Sequence, residues 1–231
     1  MEPERDKREA QIITIDGPAG AGKSTVSKLL ARRLNYLYLD TGAMYRAVAL
    51  RAREEGLGPN DEGALEKLCQ RLQIFFQEDR EGQRVICQGE DVTERIRDPE
   101  IGWLASTVSM KRPVREALVR MQRKIGSWGK IIAEGRDTGT VVFPRAKYKF
   151  FLSADPQERA RRRCRELAAR GLAANLKEIE REMKERDEQD SSRQLAPLRP
   201  AADARAINST GLTPEEVVER MLEIIREDLP L

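Results

Sequence analysis

A glycine-rich segment near the N-terminus, GPAGAGKST over residues 17–25, carries the residue types of a phosphate-binding loop. Gly17, Gly22, Lys23 and Ser24 fit the pattern G-x-x-x-x-G-K-[ST], which requires a fixed gap, a lysine and a hydroxyl together. Glycines allow consecutive backbone N–H groups to surround phosphate oxygens without Cβ clashes. The lysine can reach the β- and γ-phosphates, and the serine hydroxyl can ligate magnesium. The spacing therefore predicts a nucleotide phosphate site.

The residues on either side of this segment have the order that the motif requires. An apolar run over residues 12–15 precedes it and is typical of a buried parallel strand. Apolar residues at helical spacing follow over residues 26–34, so bound phosphates would lie at a helix N-terminus. The alternative is a chance match in a flexible glycine turn, and the strand–loop–helix context argues against it.

Strands and helices alternate over most of the chain. After the first strand, further strands are predicted at 36–40, 130–135, 147–153 and 204–208. Asp155, Pro156 and Glu158 have the spacing of a helix start, with a cap residue, a proline at the first position and a carboxylate three residues after the cap. Thr213 and Glu216 begin the last predicted helix in the same way. Strands separated by helices predict an α/β fold with a parallel sheet and right-handed crossovers.

The middle of the chain departs from this alternation. Residues 72–96 contain two β-rich runs separated by polar residues, which predicts an antiparallel hairpin. We therefore expect a small inserted subdomain at 60–100. The alternative is a surface insertion without a role, which loops tolerate easily.

Composition narrows the possible partners. The net charge is only +3, so no global field favours nucleic acid, and arginine-rich stretches such as ERARRRCREL (158–167) are local. The 3 cysteines fit no C-x-x-C pattern and there is no histidine, which predicts a reduced, cytoplasmic chain without structural zinc. The charged start MEPERDKREA and the lack of a long apolar run predict no signal peptide and no membrane association. No long apolar stripe remains after the helices are assigned to a core, so we expect a monomer.

A phosphate loop alone does not identify a reaction. GTPases are disfavoured because no N-K-x-D guanine motif is present, and a nucleic-acid motor would need a second ATPase motif. Small-molecule kinases need cations around two phosphate groups that would otherwise repel each other. The local arginine-rich stretches fit that need.

Six segments together resemble the bacterial-type cytidylate kinases: IDGPAGAGKST, YLDTGAMYRAVAL, RPVREALVRMQR, IIAEGRDTGTVVFPRAKYKFFL, KERDEQDSSRQLAPLRPAADA and INSTGLT. The GRDTGTVVFP and PLRPAADA stretches are much more specific than the phosphate loop. The resemblance implies a P-loop nucleoside monophosphate kinase fold over 11–231, with a five-stranded parallel sheet flanked by helices, an inserted NMP-binding subdomain at 60–100 and an arginine-rich lid at 155–171. It also implies in-line phosphoryl transfer from ATP to CMP and dCMP with Mg²⁺.

The resemblance implies a donor site in the loop and the lid. Nine loop residues and two lid arginines are implied to bind ATP, and these are Gly17, Pro18, Ala19, Gly20, Ala21, Gly22, Lys23, Ser24, Thr25, Arg159 and Arg163. The implied catalytic residues are Lys23, Arg136, Arg162 and Arg186, and the implied magnesium ligand is Ser24. Glu134 stands where some relatives carry aspartate, which leaves the surroundings of the metal open. Without the resemblance, the lid would be interpreted as a basic helix with a solvated face.

The acceptor site that the resemblance implies draws on residues from four stretches of the chain. Its members are Thr41, Tyr45, Arg46, Ser106, Arg115, Arg136, Asp137, Arg186, Asp190 and Arg193. Among them, Arg46, Arg115 and Arg136 are implied to bind the acceptor phosphate, while Asp137 serves the sugar hydroxyls or holds magnesium waters. From residue types alone, the arginines would equally form surface ion pairs of little energetic weight.

Cytosine presents an amine donor beside ring acceptors, so a carboxylate and a cationic donor together would recognise the base by complementary hydrogen bonds. A mismatched base would leave a buried polar group unpaired, which discriminates strongly. On this argument Arg115 and Asp190 are assigned to the base, with Ser106 as a helper. The sequence does not separate base contacts from phosphate contacts, and it leaves the preference between CMP and dCMP open.

Two other classes of function remain as alternatives. One is another small-molecule P-loop kinase, acting on UMP, AMP or shikimate, against which the insert and the GRD block argue. The other is a P-loop nucleic-acid-binding ATPase whose arginines hold a phosphate backbone, with an affinity that falls steeply as salt rises.

Overall fold

The computed structural model describes residues 11–78 and 82–227. The strands in this part of the chain are β1 (Ile12–Asp16), β2 (Leu37–Asp40), β3 (Ile74–Glu78), β4 (Gln83–Cys87), β5 (Glu90–Asp91), β6 (Ile131–Gly135), β7 (Tyr148–Ser153) and β8 (Arg205–Asn208). The α-helices are α1 (Lys23–Leu34), α2 (Thr41–Glu54), α3 (Glu62–Arg71), α4 (Pro99–Val108), α5 (Arg112–Gly126), α6 (Pro156–Ala169), α7 (Leu176–Ser192) and α8 (Pro214–Glu227). A 3₁₀ turn at Arg95–Arg97 and a π-helical turn at Thr138–Val142 complete the elements. Residues 79–81 of the predicted hairpin and 228–231 of the predicted core lie outside the described residues.

The larger sheet has 5 strands in the order β2-β6-β1-β7-β8, which confirms the predicted parallel α/β core. β1 pairs in parallel with both β6 and β7, and β7 pairs in parallel with β8. β1 and β6 are buried along their whole length, as expected for central strands whose two faces are both covered. Their register places Asp16 level with Gly135, so the chain leaves both strands at the same edge of the sheet.

Helices α1 and α8 pack against each other and share one hydrophobic cluster with the sheet. The apolar residues of each helix recur at three- and four-residue spacing, which places them on one face. That cluster includes Val26 and Leu30 of α1, Phe150 of β7, and Val218 and Met221 of α8. A smaller cluster joins α6 to α7 through Ala160, Leu167, Ile179 and Met183, with Ala19 of the glycine-rich segment packed against it.

Asp16, at the end of β1, holds the π-helical turn that follows β6. Its buried carboxylate accepts hydrogen bonds from the backbone N–H and the hydroxyl of Thr138 and from the N–H of Gly139, at 2.8–2.9 Å. Burial raises the pKa of Asp16, and these three hydrogen bonds oppose the rise. The contact fixes where the chain runs after Arg136 and Asp137.

Contacts divide the chain into two compact units, one made of the residues up to Tyr38 together with Gly126 onward, and the other of Leu39–Ile125. The second unit contains α2 to α4, most of α5 and a smaller sheet in the order β3-β4-β5. The predicted hairpin is confirmed as β3 and β4, and β5 adds a third antiparallel strand. Residues 60–100 lie within this unit, and their assignment as an NMP-binding subdomain stays a prediction.

The 3 cysteines, Cys69, Cys87 and Cys164, are free thiols. Within residues 11–78 and 82–227, every helix falls short of the length and apolar character that a membrane span requires.

The two predicted helix starts differ in their capping. At α8, the Thr213 hydroxyl accepts from the N–H of Glu216 at 3.2 Å, and the Glu216 carboxylate accepts from the N–H of Thr213 at 2.7 Å. This is the reciprocal capping box that the sequence predicts. At α6, Pro156 is the first helical residue as predicted, but the Asp155 side chain makes no capping hydrogen bond. Asp155 is therefore the N-cap residue by position, as predicted, without a side-chain capping bond, and the Glu158 side chain accepts from Nε of Arg162.

We expect Thr213→Ala to lower the free energy of unfolding by about 1 kcal/mol, because it leaves an N–H at the start of α8 without its acceptor. The matched change Asp155→Ala removes a side chain with no capping bond and should cost less than about 0.5 kcal/mol. Urea denaturation of both variants measures the difference. Equal losses of unfolding free energy in the two variants would show that the capping hydrogen bond at α8 does not contribute to stability.

Candidate active site

The glycine-rich segment is held against β7 by its first glycine. Gly17 has φ +150°, and a Cβ at this position would lie 2.0 Å from the carbonyl oxygen of Leu152. Gly22 has φ +91° and precedes α1, whose first turn has no capping side chain and no carboxylate. The N–H groups at this helix start are therefore available to an anion, as a phosphate-binding loop requires.

Lys23 points back along the loop and is almost completely buried. Its Nζ donates to the carbonyl oxygen of Pro18 at 2.7 Å. Burial and, after it, the charge of Arg136 lower the pKa of Lys23 to about 7, although Glu134, Asp16 and Asp190 oppose the shift. A ligand phosphate near Nζ would reverse this balance, because it brings negative charge to a buried cation.

Ser24 lies beside the carboxylate of Glu134 at the end of β6. The Ser24 Oγ donates to Oε1 of Glu134 at 2.7 Å, and the Tyr38 hydroxyl donates to the same oxygen at 2.5 Å. Mg²⁺ binds hard oxygen ligands and usually takes only one or two from the protein, with waters and phosphates completing its shell. Ser24 and Glu134 fit that requirement, although the described residues contain no group of 3 or more His, Cys, Asp or Glu placed to hold a metal.

The arginines of α6 differ in their surroundings. Arg159 is buried, with Nε donating to the carbonyl of Ala154, and Nη1 donating both to the carbonyl of Ala19 at 3.1 Å and to Asp187 at 2.5 Å. Arg163 instead forms an ion pair with Glu166 one turn along the helix, at 2.8 Å. Arg159 therefore braces the loop, while Arg163 lies in the more exposed part of the helix.

Arg162 contacts the other side of the loop through Ser209. It donates to the hydroxyl of Ser209 at 2.9 Å and to its carbonyl at 2.7 Å, and the Ser209 hydroxyl donates to the carbonyl of Ala21 at 3.0 Å. The side chain of Arg162 also contacts the carbonyl of Ala21 at 3.5 Å. Two of the three predicted lid arginines thus touch the backbone of the phosphate loop.

Three side chains around the phosphate loop were not among the predicted site residues: Asp187, Ser209 and Tyr38. The carboxylate of Asp187 accepts from the N–H of Ala19 at 3.4 Å as well as pairing with Arg159. Asp187 and Ser209 lie within the KERDEQD and INSTGLT segments, so those segments were the available signal. Tyr38 is the first residue of the YLDTGAMYRAVAL segment, but its residue type gives no signal by itself, because a tyrosine in a strand is typical of a core position.

A second group of predicted residues surrounds Asp190 near the end of α7. The Arg136 Nε donates to Oδ2 of Asp190 at 2.7 Å, and the Arg193 guanidinium lies 3.7 Å from Oδ1 of Asp190 and 3.9 Å from Oδ1 of Asp137. Burial would raise the pKa of Asp190, but the charges of Arg136, Arg186 and Arg193 and the Arg136 hydrogen bond hold it below its usual value. The carboxylate is therefore ionised near neutral pH and offers acceptor oxygens beside a guanidinium.

The remaining predicted residues belong to the unit Leu39–Ile125. Arg46, one and a half turns into α2, donates to the Asp40 carboxylate at 2.9 Å, and Thr41 is buried at the helix start. Arg115 is buried, lies 5.8 Å from the centre of the Tyr45 ring and donates to the carbonyl of Ser109.

Ser106 of α4 is buried as well, and its carbonyl accepts from the Ser109 hydroxyl at 2.7 Å. Within this unit, Arg115 therefore lies against the Tyr45 ring, and Arg115 and Ser106 both contact Ser109. Arg46 is held by Asp40, the residue that precedes Thr41.

The family model for cytidylate kinase matches residues 13–227. The chain belongs to the cytidylate kinase family. It is 55% identical over 218 residues to the cytidylate kinase of Geobacter sp. (strain M21), covering 94% of each chain. It is 52% identical over 220 residues to that of Geobacter sulfurreducens, covering 95% of this chain and 94% of the relative. Among solved structures, an uncharacterized protein from Eubacterium ventriosum aligns with a TM-score of 0.51 at 12% identity over 93% of this chain and 98% of that one, which speaks for the fold alone.

Membership of the cytidylate kinase family confirms the resemblance and the predicted fold class, and it makes the chain a phosphate-transferring enzyme. Cytidylate kinases use ATP as the phosphate donor, which agrees with a loop built around Lys23 and a helix start without caps. The assignment of individual residues to ATP, to the acceptor or to magnesium stays a prediction.

The lowered pKa of Lys23 predicts that ATP binding takes up a proton. With a pKa of about 7 in the free protein, Lys23 is mostly neutral at pH 8, and the bound phosphates restore its ammonium form. We therefore expect uptake of nearly ~1 proton at pH 8 and little at pH 6, with affinity falling by up to about tenfold per pH unit above 7.

Calorimetric titration of ATP in buffers of different ionisation enthalpy measures the proton count. Lys23→Met, which keeps most of the length of the side chain and removes the amine, should abolish the uptake. Uptake that is equal at both pH values, or that persists in Lys23→Met, would assign the titration to another group.

Proposed function

We propose that this protein transfers the γ-phosphoryl group of ATP to CMP, giving CDP and ADP, and that dCMP is also an acceptor. The observation that carries the proposal is the match to the cytidylate kinase family along residues 13–227. The conformation of the phosphate loop supports it, because Lys23 and the uncapped start of α1 are already in position. We further propose a monomeric, cytoplasmic enzyme without a nucleic-acid partner.

The donor phosphates are proposed to bind the backbone of residues 17–25 with Lys23 as a point charge. Arg162 and Arg163 of α6 are proposed to neutralise charge on the transferring group, with Arg186 and Arg136 in the same role. Arg159 is held by hydrogen bonds to the carbonyl of Ala19 and to Asp187. Its proposed contribution to ATP binding is therefore to keep the phosphate loop in position. Ser24 and Glu134 would hold Mg²⁺, which when bound neutralises phosphate charge.

The proposed acceptor residues belong to both units, and their roles are given unit by unit. In the unit Leu39–Ile125, Arg46 is proposed to bind the phosphate of CMP, with Thr41 and Tyr45 lining its position. Arg115 is proposed to bind that phosphate or the base, with Ser106 assisting at the base. In the other unit, the pairing of Arg136 with Asp190 supports a role in which a carboxylate and a guanidinium act together. Asp137, Arg186 and Arg193 are proposed to complete the sugar and base contacts.

The reaction needs alignment and charge neutralisation more than proton removal. The phosphate oxygen of CMP is already ionised near neutral pH, so it can attack without a general base. Several arginines in one enzyme serve this need, because repulsion between two anionic phosphate groups is the main barrier to their approach. The partly buried ion pairs of Arg136 with Asp190 and of Arg159 with Asp187 keep those arginine side chains ordered before substrate binds.

ADP release measured with a panel of acceptors tests the proposal. We expect CMP and dCMP to support turnover, with UMP, AMP and shikimate much weaker. Lys23→Ala should lower the CMP rate by about a hundredfold or more, whereas Lys147→Ala, an exposed lysine near β7, should leave it unchanged. Turnover with UMP, AMP or shikimate alone would assign another kinase activity. DNA or RNA binding that falls steeply with salt, without CMP turnover, would assign a nucleic-acid-binding ATPase.

Asp190→Ala tests whether Asp190 takes part in recognising the cytosine base. We expect kcat/KM for CMP to fall more than that for UMP, so that the difference in activation free energy between the two acceptors narrows by roughly 1–3 kcal/mol. The reason is that the cytosine amine loses its acceptor, or the guanidinium of Arg136 loses its partner. The matched control is Glu188→Ala, which removes an exposed carboxylate from the same helix. Equal losses for CMP and UMP would assign Asp190 to the sugar or to the arrangement of the arginines. A loss confined to ATP would place this segment on the donor side.

A further inference from the structure

Tyr38 makes a contact that the phosphate-loop motif does not account for. Its hydroxyl donates to Oε1 of Glu134 at 2.5 Å, the oxygen that also accepts from the Ser24 hydroxyl at 2.7 Å. Both Tyr38 and Glu134 are 3% exposed, so the contact is shielded from water. A hydrogen bond from a neutral hydroxyl to a buried carboxylate is short and strong compared with one between neutral groups.

The sheet order explains why Tyr38 reaches this oxygen. β2 is the neighbour of β6, and the N–H of Leu37 donates to the carbonyl of Lys130 at 2.8 Å, which anchors the start of β2 beside the start of β6. Glu134 lies four residues further along the chain, near the end of β6 where the strand meets the edge that carries the phosphate loop. The length of a tyrosine side chain spans the remaining distance.

The contact has a physical consequence for the carboxylate. A glutamate has one more rotatable bond than an aspartate, so its carboxylate needs an additional restraint to stay in a single position. Tyr38 supplies that restraint at the oxygen that Ser24 also contacts. The Tyr38 ring is itself fixed by burial and by Lys28, whose Nζ lies 5.6 Å from the ring centre. When the Ser24 oxygen ligates a metal through a lone pair, its hydrogen can still donate to Glu134.

We propose that Tyr38 is a positioning residue for the magnesium site: its hydroxyl holds the Glu134 carboxylate against Ser24 and thereby sets the affinity of the nucleotide complex for the metal. The inference rests on the proposed function only for the identity of the reaction. Groups that orient a metal ligand typically change metal affinity or activity by 10- to 100-fold when they are removed, which sets the scale of the expected effect.

The decisive change is Tyr38→Phe, which removes the hydroxyl and keeps the ring. We expect the Mg²⁺ concentration for half-maximal rate to rise by about tenfold, with kcat at saturating Mg²⁺ and KM for CMP within about twofold of the parent. Independently of turnover, the affinity of the protein–ADP complex for Mn²⁺, followed by electron paramagnetic resonance, should fall by a similar factor. The matched control is Tyr148→Phe, which removes a hydroxyl that donates to the Ile225 carbonyl at 3.2 Å, and should shift neither quantity.

A second variant separates positioning from packing. Glu134→Asp draws the carboxylate back from the Tyr38 hydroxyl by one methylene, so it should weaken Mn²⁺ binding by itself. Adding Tyr38→Phe to it should then change the Mn²⁺ affinity by less than about twofold, because the restraint is already lost. Independent, multiplicative effects of the two changes would overturn the proposal, as would an unchanged Mn²⁺ affinity in Tyr38→Phe.

The Mn²⁺ measurement keeps the inference separate from the proposed function. If the parent protein fails to phosphorylate CMP, the proposed function fails, while Mn²⁺ binding to the ADP complex still supports or refutes the role of Tyr38. If Tyr38→Phe does not fold, Glu134→Asp with Tyr38 intact carries the test, and a Mn²⁺ affinity unchanged from that of the parent protein would overturn the proposal.

Discussion

The packing of Gly17 against the carbonyl of Leu152 is the contact on which the nucleotide site depends. No side chain fits between the loop and β7, so the loop starts directly on the sheet and its next residues curve over the end of β1. Arg159 and Asp187 then hold Ala19 from one side, and Ser209 holds Ala21. A loop fixed at these points has its N–H groups oriented before a phosphate arrives, which removes most of the ordering entropy from binding.

The fixed loop also holds the charged side chains around it close together. Lys23 is buried, and Arg136 is partly buried beside it. Burial of the amine and, after it, the charge of Arg136 lower the pKa of Lys23 to about 7, which Glu134, Asp16 and Asp190 offset only in part. Burying like charges together is costly unless an anion completes the set. A polyphosphate beside the Lys23 amine would favour the ammonium form that burial disfavours, and would thereby relieve this arrangement.

Local sequence signals predicted most of the fold and part of the site. The strands at 36–40, 130–135, 147–153 and 204–208 each begin within one residue of the predicted run, because apolar alternation and turn residues are read from neighbours in the chain. The capping box at Thr213 was predictable for the same reason, as was the position of the helix start at Asp155, where the side-chain capping bond is absent. Asp187 and Tyr38 join residues 168 and 96 positions away, and such pairs have no local pattern.

The arginines of α6 show why a charge run needs a structure to be interpreted. Spacing alone treats the run ERARRRCREL as one basic face, yet the side chain of Arg159 is 9% exposed and that of Arg165 is 70% exposed. The buried one is bonded to a loop carbonyl and to Asp187, and desolvating a cation is tolerable only with such partners. An arginine already committed to three acceptors loses its bonds if it moves toward a ligand, whereas an exposed one moves at little cost. On the proposed function, charge that follows the transferring phosphate is therefore expected from the more exposed arginines of the run, while the hydrogen bonds of Arg159 hold the loop in place.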